Sequence, residues 1–122
     1  MKTIFILDDK VANIIAAKEA LDSEYKTYAM TSAERMFQLL ENLIPDLILL
    51  DINIKEMDGF EVIKILKSNP RTKEIPIIFL TASKVSEDIT EESTFGAIDY
   101  IFKPFPKELL LQRVNYVFEK AM

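Results

Sequence analysis

The stretch Asp46-Leu47-Ile48-Leu49-Leu50-Asp51 is a run of large apolar residues between two carboxylates. Its length and its lack of polar alternation predict a strand that is buried on both faces, as in a parallel sheet covered by helices. Similar runs occur three more times along the chain, as Thr3-Ile4-Phe5-Ile6-Leu7, Pro76-Ile77-Ile78-Phe79-Leu80 and Ile98-Asp99-Tyr100-Ile101-Phe102. The recurrence predicts a parallel sheet built from these four strands and one weaker strand.

A polar side chain stands just past or at the end of each run. These side chains are Asp9, Asp51, Thr81 and Lys103. In an open parallel sheet, ligands bind outside the carboxyl ends of the strands, so residues placed in this way meet in one crevice. Carboxylates, a hydroxyl and an ammonium group together suit a divalent cation and a phosphoryl group.

Helical periods alternate with the strands, which is typical of a doubly wound α/β sheet of five strands and five helices. The weak second strand, over residues 24–29, is predicted at the edge of the sheet. The predicted helices cover residues 10–21, the stretch from 31 to Pro45, residues 59–68, residues 83–95, and a last helix with Pro106 in its first turn. With 122 residues and no linker or repeat, the chain is expected to form one domain, residues 1–122.

Two local predictions concern the first two helices. Helical spacing in the first helix directs five apolar side chains inward, namely Val11, Ile14, Ile15, Ala17 and Leu21. The second helix is predicted to open with the capping box Thr31-Ser32-Ala33-Glu34.

Composition excludes several classes of function. A net charge of −5 with scattered Lys and Arg gives no basic stripe for nucleic acid. The absence of Cys and His removes thiolate and Ser-His-Asp chemistry and leaves carboxylates with a hard cation. The first apolar run is too short for a signal peptide or a membrane span, so a cytoplasmic location without membrane contact is predicted.

Four motifs also resemble a known family. They are Leu7-Asp8-Asp9, the stretch from Asp51 to Asp58-Gly59, Thr81-Ala82, and the stretch from Asp99 to Lys103-Pro104-Phe105. In order and spacing they are similar to the receiver domain of two-component response regulators, such as the chemotaxis response regulator. The resemblance covers nearly the whole chain, and it implies a flavodoxin-like (βα)5 fold with strand order 2-1-3-4-5.

The resemblance implies a role for each polar residue. Asp51 would be the phosphoacceptor, with Lys103 and Thr81 contacting the phosphoryl oxygens. Magnesium would be ligated by Asp9, Asp51 and the backbone carbonyl of Asn53, with a water held by Asp8. Asp58-Gly59 is interpreted only as a turn.

The implied function is signalling rather than enzymatic turnover. A histidine kinase or phosphotransfer protein would donate the phosphoryl group, because a chain without His cannot supply it. Tyr100 matches the family's switch aromatic, and Lys103-Pro104 matches its cis peptide. The phosphoryl group would switch the face formed by the fourth helix, the fifth strand and the fifth helix, which signals to an effector domain or output protein.

Several alternatives stay open. An acidic pair after a strand is often only a turn or a cap, and Asp9 could cap the first helix. A magnesium-dependent aspartate phosphatase of the haloacid dehalogenase type would need Asp-x-Asp, whereas Asp8 and Asp9 are adjacent. The chain could also be an unphosphorylated pseudo-receiver that acts as an interaction module.

Charge on the signalling face predicts the oligomeric state. Asp99 and Arg113 match a pair that links protomers in one subgroup of the family. The predicted fourth helix, in contrast, is strongly acidic, with Glu87, Asp88, Glu91 and Glu92. Two such helices would repel each other across a two-fold axis, so a monomer or a weak dimer, with a basic partner surface, is predicted.

Overall fold

The computed structural model describes residues 1–52, 59–82, 99–103 and 105–120, with the backbone alone at 81, 82 and 102. Its strands pair in parallel in the order β2-β1-β3-β4-β5, which confirms the predicted topology and the edge position of the second strand. The strands are β1 Thr3–Leu7, β2 Lys26–Met30, β3 Leu47–Asp51, β4 Ile77–Ala82 and β5 Asp99–Lys103. Each lies within two residues of its predicted position.

Four helices cover the sheet in the described part of the chain. They are α1 Val11–Leu21, α2 Ala33–Leu40, α3 Gly59–Ser68 and α4 Lys107–Lys120. The fourth predicted helix, over 83–95, lies outside the described residues, so α4 corresponds to the last predicted helix. Pro106 precedes α4, and its carbonyl accepts the backbone N–H of Leu110.

The strands bury side chains on both faces, as their apolar runs predicted. Alternate residues of β1, such as Phe5 and Leu7, pack in the layer that contains α2 and α3. Their neighbours, Ile4 and Ile6, pack in the layer that contains α1 and α4. Helices on both faces therefore leave the sheet's carboxyl edge as the place where polar groups of several strands can meet.

The predicted inward face of α1 is partly wrong. Ile14, Ala17 and Leu21 are buried, but Val11 and Ile15 are 61% and 51% exposed. The buried stripe continues through Ala20, so Ile15 is rotated away from the sheet. Val11 is the first helical residue, at the carboxyl edge of the sheet, where the strands end.

The boundaries of α2 differ from the prediction at both ends. The N-cap is Ser32, whose side chain accepts the backbone N–H of Arg35, so the capping box predicted from Thr31 to Glu34 is wrong by one residue. The helix ends at Leu40, well before Pro45. Arg71 donates to the Leu40 carbonyl at 3.2 Å and so satisfies a group that the helix end leaves unpaired.

No helix in the described ranges is long and apolar enough to cross a membrane.

Candidate functional site

Strand register brings distant residues to one edge of the sheet. Asp51 is the last residue of β3, and Asp8 directly follows β1, whose Leu7 pairs with Leu50. Lys103 is the last residue of β5 and pairs with Ala82. The carboxyl ends of β1, β3 and β5 therefore supply charged groups to the same crevice, as the sequence predicted.

Three carboxylates lie close together there. Asp8, Asp9 and Asp51 each offer an oxygen, and these oxygens all lie within 4.8 Å of one another. Asp8 is fully buried and Asp51 is 3% exposed. Negative charges this close in a poorly hydrated site repel strongly, so the cluster requires positive charge.

Lys103 supplies part of that charge. Its Nζ lies 2.9 Å from Asp8 Oδ2 and 3.1 Å from Asp51 Oδ1, and its side chain is only 15% exposed. Buried charges tolerate desolvation only when they are paired with good geometry. In this structure Lys103 is thus the cation that joins the ends of β1 and β3.

Both carboxylate oxygens of Asp8 accept hydrogen bonds. While Oδ2 accepts from Lys103, Oδ1 accepts the backbone N–H of Lys10 at 2.9 Å and Nδ2 of Asn13 at 3.4 Å. The alternative that Asp9 caps α1 is wrong, because the N-cap residue is Lys10. Sequence reasoning missed Asn13, which lies one helical turn after the acidic pair.

Asp9 is in the opposite situation. Its Oδ1 is buried and has no hydrogen-bond partner among the described residues. A buried carboxylate oxygen is normally satisfied, and here a cation would satisfy it. The possible ligands are carboxylate oxygens, and one of them, Asp9 Oδ1, accepts no hydrogen bond from the described residues. Such a set of oxygen ligands fits a hard ion such as Mg²⁺.

The structure describes the other predicted site residues only in part. Thr81 lies in β4, one residue after Leu80, which pairs with Asp51, but only its backbone is described. Asn53 and Pro104 lie outside the described residues. Tyr100 lies in β5 and is 39% exposed.

The two charged residues expected to match an intersubunit pair meet within one chain. Arg113 Nη1 on α4 lies 2.6 Å from Asp99 Oδ2 on β5. The ion pair fastens α4 to the edge of the sheet, and it needs no second protomer.

The fold and this site define a doubly wound domain with an acidic, lysine-bridged pocket at the carboxyl edge of its sheet. The family model described as "Response regulator receiver domain" matches residues 4–115, so the chain belongs to the response regulator receiver family of two-component systems. Phosphorylation and Mg²⁺ binding are typical of that family, and its receivers interact with histidine kinases and output domains.

Named relatives agree with the family. The chain is 42% identical, over 93% of its length, to a probable cyclic di-GMP phosphodiesterase of Vibrio cholerae. It is 34% identical over 92% of its length to response regulator PleD of Caulobacter vibrioides, and 36% identical over 94% to SaeR of Staphylococcus aureus. The match covers 26%, 25% and 50% of these relatives, so the chain spans a quarter to a half of their length.

Solved structures agree as well. Chemotaxis response regulator CheY4 of Vibrio cholerae superposes with a TM-score of 0.87 at 26% identity, covering 96% of this chain and 98% of that one. The BeF3-activated DrrB receiver domain gives 0.85 at 25% identity, covering 98% of each chain.

Proposed function

We propose that residues 1–122 form one receiver domain that takes a phosphoryl group onto Asp51 from a histidine kinase or phosphotransfer protein. One observation carries the proposal: the Asp51 carboxylate lies in an acidic pocket with the ammonium of Lys103 3.1 Å away. Intact mass spectrometry after incubation with phosphoramidate and Mg²⁺ tests it. The cytoplasmic location stays a prediction from the sequence.

The chemistry requires little of the protein beyond position and charge. An Asp51 oxygen forms a bond to phosphorus while the bond from phosphorus to the donor's imidazole nitrogen breaks. Lys103 would neutralise charge on the transferred group, and the Thr81 hydroxyl would donate to one of its oxygens. A carboxylate is a weak nucleophile, so alignment and charge neutralisation account for most of the catalysis.

Bound Mg²⁺ would neutralise negative charge on the carboxylates and on the phosphoryl oxygens. Asp9, with its orphaned Oδ1, and Asp51 would hold the ion directly, together with the carbonyl of Asn53. Both oxygens of Asp8 already accept from protein donors, which favours contact through a water. The residues thus divide into direct ligands and one that supports them.

Replacing Asp9 with Asn should remove most of the stabilisation by Mg²⁺. Wild type should gain about 2.7 kcal/mol at a free Mg²⁺ concentration of 100 times the Kd, and the variant should gain far less. Without Mg²⁺ the variant should unfold at a higher temperature than wild type, because one of three clustered negative charges is gone. Thermal melts with and without Mg²⁺ measure both effects.

Asp46→Asn is the matched control. Asp46 directly precedes β3, at the amino ends of the strands and away from the pocket, and its Oδ2 accepts the backbone N–H of Thr3. It should keep the full response to Mg²⁺. An equal Mg²⁺ response in wild type and Asp9→Asn would place the ion elsewhere.

The start of α1 lies close to the acidic pocket in sequence and would offer the proposed partner a contact surface. Val11 and Ile15 expose apolar surface on this helix, which begins two residues after Asp9. A helical kinase or phosphotransfer domain that presents its histidine to Asp51 would cover this surface. Exposed apolar side chains at the rim of a reacting site are suited to such a transient contact.

Ile15→Ala should therefore slow phosphotransfer from a phosphorylated kinase domain active on wild type, but not phosphorylation by phosphoramidate. Loss of one interface anchor worth about 1.4 kcal/mol lowers kcat/KM about tenfold. Ile65→Ala is the control, since Ile65 is similarly exposed but lies on α3. Equal loss with both donors would mean that Ile15 supports the fold rather than the contact.

Output would follow from a change in the face that the sequence analysis assigned to the fourth predicted helix, the fifth strand and the last helix. We expect Tyr100, now 39% exposed, to move inward when the Thr81 hydroxyl is drawn to the phosphoryl group. The internal Asp99–Arg113 pair supports a monomer or weak dimer, since neither group requires a partner chain.

A further inference from the structure

We infer that Gly59 is a positioning residue for the phosphoacceptor, because the first turn of α3 rests directly on the backbone that carries Asp51. The inference rests on the proposed function of Asp51 and assigns part of its geometry to a residue that touches no substrate. The sequence had suggested only a turn at Asp58-Gly59.

Position 59 needs a glycine because there is no space for a side chain, and not because of its backbone conformation. Gly59 is the first residue of α3, and its φ does not lie in the left-handed region that favours glycine. A Cβ at Gly59 would lie 2.7 Å from the Cα of Ile52, 2.9 Å from the Asp51 carbonyl oxygen and 3.0 Å from the Ile52 carbonyl oxygen. Non-bonded carbon atoms prefer about 3.5–4.0 Å, so a methyl group does not fit.

All three crowded atoms belong to backbone, so no side-chain rotation relieves the clash. The Ile52 backbone is also held from two sides. Its N–H donates to the Leu80 carbonyl at 3.2 Å, and its carbonyl accepts the Gly59 N–H at 2.8 Å. The end of β3 is therefore clamped between β4 and the start of α3.

The helix is anchored as firmly as the strand. Val62, Ile63 and Leu66 on α3 are buried in the layer that also contains Phe79 of β4. A methyl group at Gly59 must consequently displace either the first turn of α3 or the strand end at Asp51. Displacement of a reacting group by about 1 Å can lower a rate about 100-fold, whereas the buried face of α3 would keep most of the fold's stability.

The test is Gly59→Ala, phosphorylated with saturating phosphoramidate and Mg²⁺, with the rate divided by the folded fraction from circular dichroism. We expect the saturated rate per folded molecule to fall about 10- to 100-fold. Leu66→Ala is the control, because it removes buried side chain from the same helix and should cost about 2–5 kcal/mol of stability. Its rate per folded molecule should stay within about twofold of wild type.

A wild-type rate per folded molecule in Gly59→Ala would overturn the inference and leave the function of Asp51 intact. An equal loss in Leu66→Ala would also overturn it, since any weakening of α3 would then suffice. If Gly59→Ala is unfolded, the assay is repeated in sucrose, which favours the compact state. Failure to fold even there would show that the contact supports the fold rather than the site. Absence of phosphorylation in wild type itself would refute both proposals together.

Discussion

Replacing Lys103 with methionine is expected to lower the free energy of unfolding of the metal-free protein by about 3 kcal/mol. The methionine keeps most of the side-chain volume and removes the ammonium that lies 2.9 Å from Asp8 and 3.1 Å from Asp51. Asp8 is fully buried, so its charge would lose its cation in a site that water barely reaches. The three clustered carboxylates would then repel one another without the ammonium that offsets part of their charge here.

Magnesium should reverse much of this loss. Lys103 and the ion neutralise the same carboxylates, so without Lys103 the pocket should bind Mg²⁺ about tenfold more tightly, a gain of about 1.4 kcal/mol. Phosphorylation should nevertheless fall, because the ammonium expected at the transferred group is missing. With Mg²⁺ present, this variant would thus regain much of its stability and still be phosphorylated more slowly than wild type.

Urea unfolding with and without Mg²⁺ measures the effect. The matched control is Lys107→Met, which removes an exposed lysine from its 2.7 Å ion pair with Glu19. Pairs of this kind contribute little in water, so the control should unfold nearly as wild type does. Equal stability of wild type and Lys103→Met without Mg²⁺ would show that the bridge to Asp8 and Asp51 does not support the fold.

The fold was predictable because four of its strands occur in the sequence as largely apolar runs. A run such as 46–51, buried on both faces, has few alternatives to a central strand of a parallel sheet, and polar residues at the ends of such runs must meet at one edge. The ends of α2 were placed less well, since its limits depend on tertiary contacts. Arg71, which contacts the end of α2, comes from a loop some thirty residues later.

Rotation of α1 shows a second limit of sequence reasoning. Val11 and Ile15 have the apolar character of a buried face, but the helix turns other residues toward the sheet and leaves these two exposed. Helical periodicity shows which residues form an apolar face, but it does not show which of them turn toward the sheet. An apolar residue retained at the surface for a partner is indistinguishable in sequence from one in the core.

Within the site, sequence reasoning identified the charged groups but not the contacts among them. The residues Asp8, Asp51 and Lys103 were expected together, yet the bridge from Lys103 to Asp8 and the support from Asn13 depend on side-chain placement. The demand for a glycine at Gly59 arises from the distance between a helix and a strand end. Such distances are set by packing of the whole layer and leave no local pattern.

Asp51→Asn is expected to abolish phosphorylation completely, the largest functional effect of any change considered. The amide cannot form the acyl phosphate, and the neighbouring acids are poor substitutes. Asp8 has both oxygens engaged by protein donors, and Asp9 is expected on the metal ion. The variant should remain folded, because replacing one of three clustered carboxylates relieves repulsion.

The most direct test is intact mass spectrometry of wild type and Asp51→Asn after incubation with phosphoramidate and Mg²⁺. We predict one phosphoryl adduct on wild type, lost on chelation of Mg²⁺ before incubation, and none on Asp51→Asn. An adduct of equal occupancy on the variant would place the phosphoacceptor elsewhere. No adduct on folded wild-type protein would contradict the account outright and favour an unphosphorylated pseudo-receiver.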